Sequence, residues 1–278
     1  MATKPVIVGA DGSRESLRAV EWAAREAALR GTSLRIVAVP PLPPRMTSTP
    51  ATPGTVSDVV ERSTSEALAA AAQQAAAQQP SLTIDTHLVA GAPAEVLTGA
   101  AEDAVLLVLG SRGAGGFSAL ILGSVSRYVA THAVAPVVVA REETTSAHRE
   151  IVVGVQDPAH AEAALGFAFE EAALRHARLL AVHAWSSTVP GHAEPTAEET
   201  SRLESAVSAW REKFPEVEAS VEVVRAHPGR VLAGSSARAD LVILGRHAAG
   251  GSLRRGVGSI THAVLDHAHG PVASVPGD

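Results

Sequence analysis

"VIVGADGSRESLRAVEWAAREAALR", residues 6–30, opens on a short apolar run, turns at Asp11-Gly12-Ser13 and continues as an alanine-rich stretch. "IVVGVQDPAHAEAALGFAFEEAALR", residues 151–175, follows the same plan to the same Glu-Ala-Ala-Leu-Arg close, at an offset of 145. A β-branched run followed by good helix formers reads as a strand feeding a helix. An internal repeat of that unit decides the domain count before any local structure does. A second echo lies further on, where "VLLVLGSRGAGG" (105–116) aligns with "LVILGRHAAGG" (241–251) at an offset of 135, as do Gly123-Ser124 with Gly258-Ser259 and Pro136 with Pro271. The second copy is thus shorter by about ten residues, and the proline-rich run 40–57 of the first is the expected extra loop. Two domains are expected, residues 1–143 and 149–278.

Within the first copy, strands are expected near 4–10, 33–39, 82–90, 104–109 and 136–140, with helices near 14–30, 57–79, 93–102 and 123–133. Apolar strands alternating with helices imply right-handed crossovers and a parallel sheet covered on both faces. Each half is therefore expected to be a small doubly wound α/β domain. In such a sheet a ligand sits beyond the carboxyl ends of the strands, where the strand order reverses. The strand ending at Leu109 delivers Gly110 to that place.

Bulk composition removes several classes of function. A net charge of −6 gives no general attraction to nucleic acid or to an anionic membrane. The absence of cysteine excludes disulfides, thiolate metal sites and a cysteine nucleophile. The first strand-like run begins almost at residue 1, leaving no room for a secretory signal, and no apolar run is long enough to span a bilayer. A cytoplasmic protein is the expectation.

The array Gly110, Gly113, Gly123, Ser124 brings glycines and a helix start together after one strand. Several backbone N–H groups and a helix dipole can converge there on an anion, and side chains would obstruct the approach. The same glycines also suit a tight turn and nothing more, so spacing alone leaves both readings open. Asp11 is open in the same way. A carboxylate at a strand end accepts hydrogen bonds from a ribose or from an adenine edge, yet it also caps helices. Ser13 is the better expected cap of the helix that follows. Arg112 could neutralise phosphate charge or lie solvated in its loop.

Taken together, the Gly-x2-Gly-x9-Gly-Ser array and the aspartate of "VGADGS" (8–13) resemble the universal stress protein family in its tandem two-domain form, over nearly the whole chain. The resemblance implies two five-stranded sheets of order 3-2-1-4-5 and a first domain of the ATP-binding type. Ala10, Asp11 and Val39 would then serve the nucleoside, with Gly110, Ser111, Arg112, Gly113, Gly123, Ser124 and Val125 on the phosphates. The implied ligand is ATP or a related adenine nucleotide, with Mg²⁺ accompanying it. The implied role is a stress-response regulator or sensor in which any hydrolysis is slow, for want of a lysine or general base in the array. The family also implies pairing of the final strands, 136–140 with 271–275, and allows dimerisation of whole chains. The alternative on the same fold is an interaction scaffold that binds no nucleotide.

The second copy departs where the ligand would sit. Gln156, Asp157 and Pro158 replace Asp11, Gly12 and Ser13; Ala248 replaces Gly113 and Ala226 replaces Gly91. Gln156, Gly245, Gly258 and Ser259 are the residues left to form a weaker site, with Asp157 able to substitute by shifting inward and with His247, Arg246, Arg254 and Arg255 making the loop more cationic. His262, Asp266 and His269 share a helical spacing but complete no ligand set, so no metal site is expected. His183 is expected to pack or to lie near the pocket. No residue is assigned a catalytic role.

Overall fold

A computed structural model of the chain describes residues 3–41, 55–113, 122–141, 147–185, 197–246 and 257–277. The chain divides into two compact units, Met1–Ala140 and Arg141–Asp278.

In the first unit β1 (Val6–Gly9), α1 (Arg14–Leu29), β2 (Leu34–Ala38), α2 (Thr55–Gln78), β3 (Ile84–Leu88), α3 (Pro93–Ala100), β4 (Leu106–Gly110), α4 (Ser124–His132) and β5 (Val137–Ala140) follow in order. The strands are parallel in the order β3-β2-β1-β4-β5. Val6, Ile7 and Val8 of β1 and Leu106, Leu107 and Val108 of β4 are fully buried, each worth roughly 1.5–3 kcal/mol relative to exposure. Helices α1 and α2 pack on each other and on the sheet, as do α3 and α4 in their turn. That is the doubly wound plan.

Sequence explains the helices locally. Ser13 caps α1, its hydroxyl oxygen accepting from the Ser16 N–H at 3.2 Å, as the capping pattern requires. Residues 19, 20, 23, 24 and 27 of α1 are buried at helical spacing, and all but Val20 are alanines that let the helix lie close to the strands. The alanine-rich α2 buries a single stripe, Thr64, Leu68, Ala71 and Ala75, and turns its glutamines outward or to its flanks.

The outer strand β3 departs from the expected continuous apolar pattern. Asp85, Thr86 and Leu88 are exposed, and Asp85 accepts from Arg35 of β2 at 3.3 Å and pairs with His87 at 2.6 Å. Charged side chains on an outer strand discourage pairing with another chain. The hydrogen bond from His87, aided by the charges of His87 and Arg35, holds the Asp85 carboxyl below its ordinary value of 3.8.

The second unit repeats the plan with β6 (Glu150–Gly154), α5 (Glu162–Arg175), β7 (Arg178–Trp185), α6 (Ala197–Lys213), β8 (Ala219–Arg225), α7 (Pro228–Ser235), β9 (Leu241–Arg246), α8 (Val257–His267) and β10 (Val272–Pro276). Its order is β8-β7-β6-β9-β10, all parallel. Its core adds an aromatic cluster, Phe169 with Trp210 and Phe214 at centroid distances of 6.2 and 5.8 Å. The repeated Glu-Ala-Ala-Leu-Arg closes α1 and α5 alike: Glu26 and Glu171 are buried and ion-paired one turn on with Arg30 and Arg175. Among the described residues no helix is long and apolar enough to cross a membrane.

Candidate functional site

Strands β1 and β4 lie side by side, Val6 opposite Leu106 and Val8 opposite Val108, and then part company. The chain leaves β1 for α1 and leaves β4 towards α4, so no connection covers the strand ends between them. A cavity of about 540 Å³ opens there, within the ~300–1,000 Å³ of ordinary small-molecule sites. The end of β1, the start of α1, the end of β2 with Pro41, Thr64 of α2, Pro93 and Leu97 of α3, and the segments on either side of the glycine loop line it.

Nine of the ten residues expected in this site come together on its wall: Ala10, Asp11, Val39, Gly110, Arg112, Gly113, Gly123, Ser124 and Val125. Ser111 does not join them; it is buried off the wall, its carbonyl accepting the Gly123 N–H at 2.8 Å. Asp11 Oδ1 accepts the Ser13 N–H at 3.0 Å and the Ser13 hydroxyl at 2.6 Å, so the carboxylate is held in place by the turn that starts α1. That turn needs Gly12, whose φ of +79° lies in the region side chains avoid.

The glycines of the array do different jobs. A Cβ on Gly110 would stand 2.7 Å from the Glu15 backbone carbon and oxygen, so this glycine lets α1 approach β4. A Cβ on Gly113 would stand 2.4 Å from Asp11 Oδ2, so this one brings the loop against the carboxylate. At Gly123 nothing comes nearer than 3.5 Å. Gly123 is the N-cap of α4 and offers no side-chain cap, and the first helical bond is from the Arg127 N–H to the Gly123 carbonyl at 2.9 Å. The N–H groups of Ser124, Val125 and Ser126 precede that bond, at the positive end of the helix dipole and on the cavity wall. An anion is the chemical complement of such an end.

Sequence reasoning missed Glu15, Ser16, Thr64, Leu97 and Ser126 on the wall. Ser16 and Ser126 are buried and occupied structurally, their hydroxyls donating to the Ser13 and Gly110 carbonyls at 2.9 and 2.7 Å. Thr64 and Leu97 arrive from helices far away in sequence, and no local pattern marks them. Glu15 lies two residues past the Asp-Gly-Ser turn, in the first turn of α1, where an acid is ordinary. It pairs with Arg112, Nη2 to Oε1 at 3.0 Å, so the loop's guanidinium is held by a carboxylate. Among the described residues, the charged groups of the wall are two carboxylates and one cation.

The corresponding place in the second unit, as its described residues line it, holds a cavity of only about 40 Å³, far below the ~300–1,000 Å³ of ordinary small-molecule sites. Gln156 and Gly245 line it with Val155, Leu232, Leu244 and Thr261 among others. Gly258 and Ser259 fall in the first turn of α8. Asp157 does not shift inward to replace Asp11. With φ −133° where Gly12 has +79°, the turn becomes a short 3-10 helix, Pro158–His160, whose Ala159 N–H donates to the Asp157 carboxylate at 3.1 Å. That bond and the one with His160 at 3.0 Å hold the Asp157 carboxyl below its ordinary 3.8. His183 bonds the Val155 carbonyl through Nδ1 at 2.8 Å, a structural contact. Arg246 lies at the end of β9, where burial lowers its pKa from the ordinary guanidinium value. His247, Ala248, Arg254 and Arg255 lie outside the described residues. His269 lies beyond α8, which ends at His267, so His262, Asp266 and His269 do not share one helix face.

The model of the universal stress protein family matches residues 2–141 and again residues 148–276. Universal stress protein Rv2005c of Mycobacterium tuberculosis is 33% identical over 285 residues, covering 96% of this chain and 95% of the relative. Universal stress protein Rv2623 of the same organism is 34% identical over 281 residues, covering 96% and 94%. Among solved structures, a universal stress protein from Archaeoglobus fulgidus superposes with a TM-score of 0.76 over 98% of both chains at 20% identity, a likeness of fold.

Proposed function

Because the chain belongs to the universal stress protein family, we propose that its first unit binds ATP or a related adenine nucleotide, and that occupancy rather than turnover is its output, as in a stress-response sensor or regulator. One observation carries the reading: Asp11, the Gly110–Gly113 backbone and the open N-terminus of α4 converge on a single cavity of about 540 Å³. The residues present fit the ligand. Val37, Val39, Pro41 and Leu97 offer apolar wall to a base, Asp11 offers an acceptor to ribose hydroxyls, and the first turn of α4 offers donors to phosphate. A methyl at Gly113 would fill the space between loop and carboxylate. Among the described residues no group of three or more His, Asp or Glu side chains could hold a metal, so Mg²⁺ enters this reading as an ion carried by the phosphates. The wall supplies no lysine, and slow hydrolysis at most is expected.

The second domain, 149–278, is proposed not to share the ligand; its cavity of about 40 Å³ favours the interaction-scaffold reading there. Pairing of the final strands, 136–140 with 271–275, and dimerisation of whole chains complete the proposal; sedimentation velocity tests the dimer. The central experiment is a calorimetric titration of the whole chain with ATP and with AMP, beside Asp11→Ala. One nucleotide per chain, weakened by Asp11→Ala, is expected. Folded protein that takes up neither ligand overturns the reading, and two sites per chain overturn the assignment to the second domain.

A further inference from the structure

We propose that Glu15 is a specificity-determining residue of the first unit's cavity: it holds Arg112 and sets a second carboxylate beside the glycine loop, so the site favours adenine ligands of low phosphate charge over metal-free triphosphate. The inference rests on reading that cavity as an adenine-nucleotide site.

The charge inventory is its starting point. Asp11 and Glu15 face one cation, Arg112, and that cation is engaged with Glu15 at 3.0 Å. The sequence between Gly113 and Leu122, Ala-Gly-Gly-Phe-Ser-Ala-Leu-Ile, brings no charge of either sign. Three wall hydroxyls are already donating, Ser16 to the Ser13 carbonyl, Thr64 to the Val60 carbonyl and Ser126 to the Gly110 carbonyl. Among the described residues, what is left for phosphate is the Gly110–Gly113 backbone, Ser124 and the N-terminus of α4, the last a partial positive charge of about one half. That is enough for a monoanion or dianion and little for a metal-free triphosphate.

Glu15 cannot easily withdraw. Its backbone lies against Gly110, where even a Cβ would come within 2.7 Å, and Ser13 caps the helix it begins. Its side chain is 21% exposed and that of Arg112 is 45% exposed, so the pair is a weak one that an incoming phosphate can open. Opening it frees Arg112 but leaves the Glu15 carboxylate next to the phosphate, and each further phosphate charge adds repulsion. Mg²⁺ on the triphosphate cancels that charge and restores binding. The second unit carries His160 at the position of Glu15, paired with Asp157, and has no such carboxylate.

The test is calorimetry on the full chain with adenosine, AMP and ATP in EDTA and ATP with Mg²⁺, using wild type, Glu15→Gln, Arg112→Gln and the double variant, each checked by thermal unfolding. Wild type should bind AMP about tenfold tighter than ATP in EDTA, and Glu15→Gln should tighten metal-free ATP by about tenfold, AMP by less and adenosine by less than about twofold. Arg112→Gln should weaken AMP and ATP while sparing adenosine, and Glu15→Gln should gain less on that background. Should Glu15→Gln fail to fold, the wild-type series decides alone. ATP in EDTA binding as tightly as AMP, or a Glu15→Gln variant with an unchanged series, overturns this inference while the adenine site stands. Folded wild type that takes up none of the four overturns both.

Discussion

Substituting Gly113 by alanine tests the coupling between the glycine loop and the aspartate of the first unit. The new methyl would stand 2.4 Å from Asp11 Oδ2, about 1 Å short of van der Waals contact. Either the carboxylate withdraws, breaking the bonds that Ser13 makes to Oδ1 at 3.0 and 2.6 Å, or the loop moves off the cavity. Both separate the acceptor for a ribose from the donors for a phosphate. Losing one hydrogen bond to a charged group costs about 1.5–3 kcal/mol, which at 1.4 kcal/mol per tenfold is roughly 10- to 150-fold in affinity. Both residues are solvent-exposed, so stability should fall by no more than about 0.5 kcal/mol. Calorimetric titration with AMP, paired with urea unfolding, measures the two effects separately. Gly99→Ala is the control, since its methyl meets nothing within 4 Å and Gly99 lies off the cavity wall. The reasoning is refuted if Gly113→Ala binds within twofold of wild type, or if Gly99→Ala loses as much.

Gly110→Ala should behave differently, destabilising the fold by about 1–3 kcal/mol in urea, because its methyl meets the α1 backbone at 2.7 Å; unaltered stability would show that α1 can retreat freely. Arg30→Met removes the guanidinium that the buried Glu26 meets one turn on and should cost about 3 kcal/mol in urea at pH 7; a loss below about 1 kcal/mol would show that the pair supplies little. Asp85→Asn removes an exposed carboxylate whose folded pKa is depressed, so its contribution is present above pH 3.8 and lost as pH falls through the lower folded value. Wild type and Asp85→Asn should therefore differ by less than about 1 kcal/mol at pH 7 and converge near pH 2, as urea unfolding at both values will show.

Much of the site could be read from the chain because its parts are tied to strand ends. Asp11 follows β1 and Gly110 closes β4, so naming the strands placed both at the switch point. Ser111 was placed with them by the family resemblance, and the structure buries it off the cavity wall, where its carbonyl serves Gly123. Glu15 was passed over for the opposite reason: one residue into a helix looks like ordinary first-turn acid, and only the approach of the glycine loop makes it the partner of Arg112. The hope that Asp157 might stand in for Asp11 failed on backbone conformation. Losing the glycine at that turn forces a 3-10 helix that uses the carboxylate as its own cap.

Periodicity and repetition are properties of the chain itself, and so two doubly wound units and the residues at their strand ends were legible in the sequence, while the strand order 3-2-1-4-5 came from the family resemblance. A buried apolar run must be covered on both faces, and a strand-helix alternation admits few ways of doing so. Cavity volume and pairing of charges are not local quantities. They depend on how closely α1 can lie against Gly110, on which side chains arrive from α2 and α3, and on whether a turn adopts positive φ at Gly12. Two copies of one plan thus end with about 540 Å³ of space in one unit and about 40 Å³ in the other. The replacements at Gln156 and Asp157 announced an unequal second site in the sequence, and tertiary packing, which no local pattern encodes, decided how large the difference is.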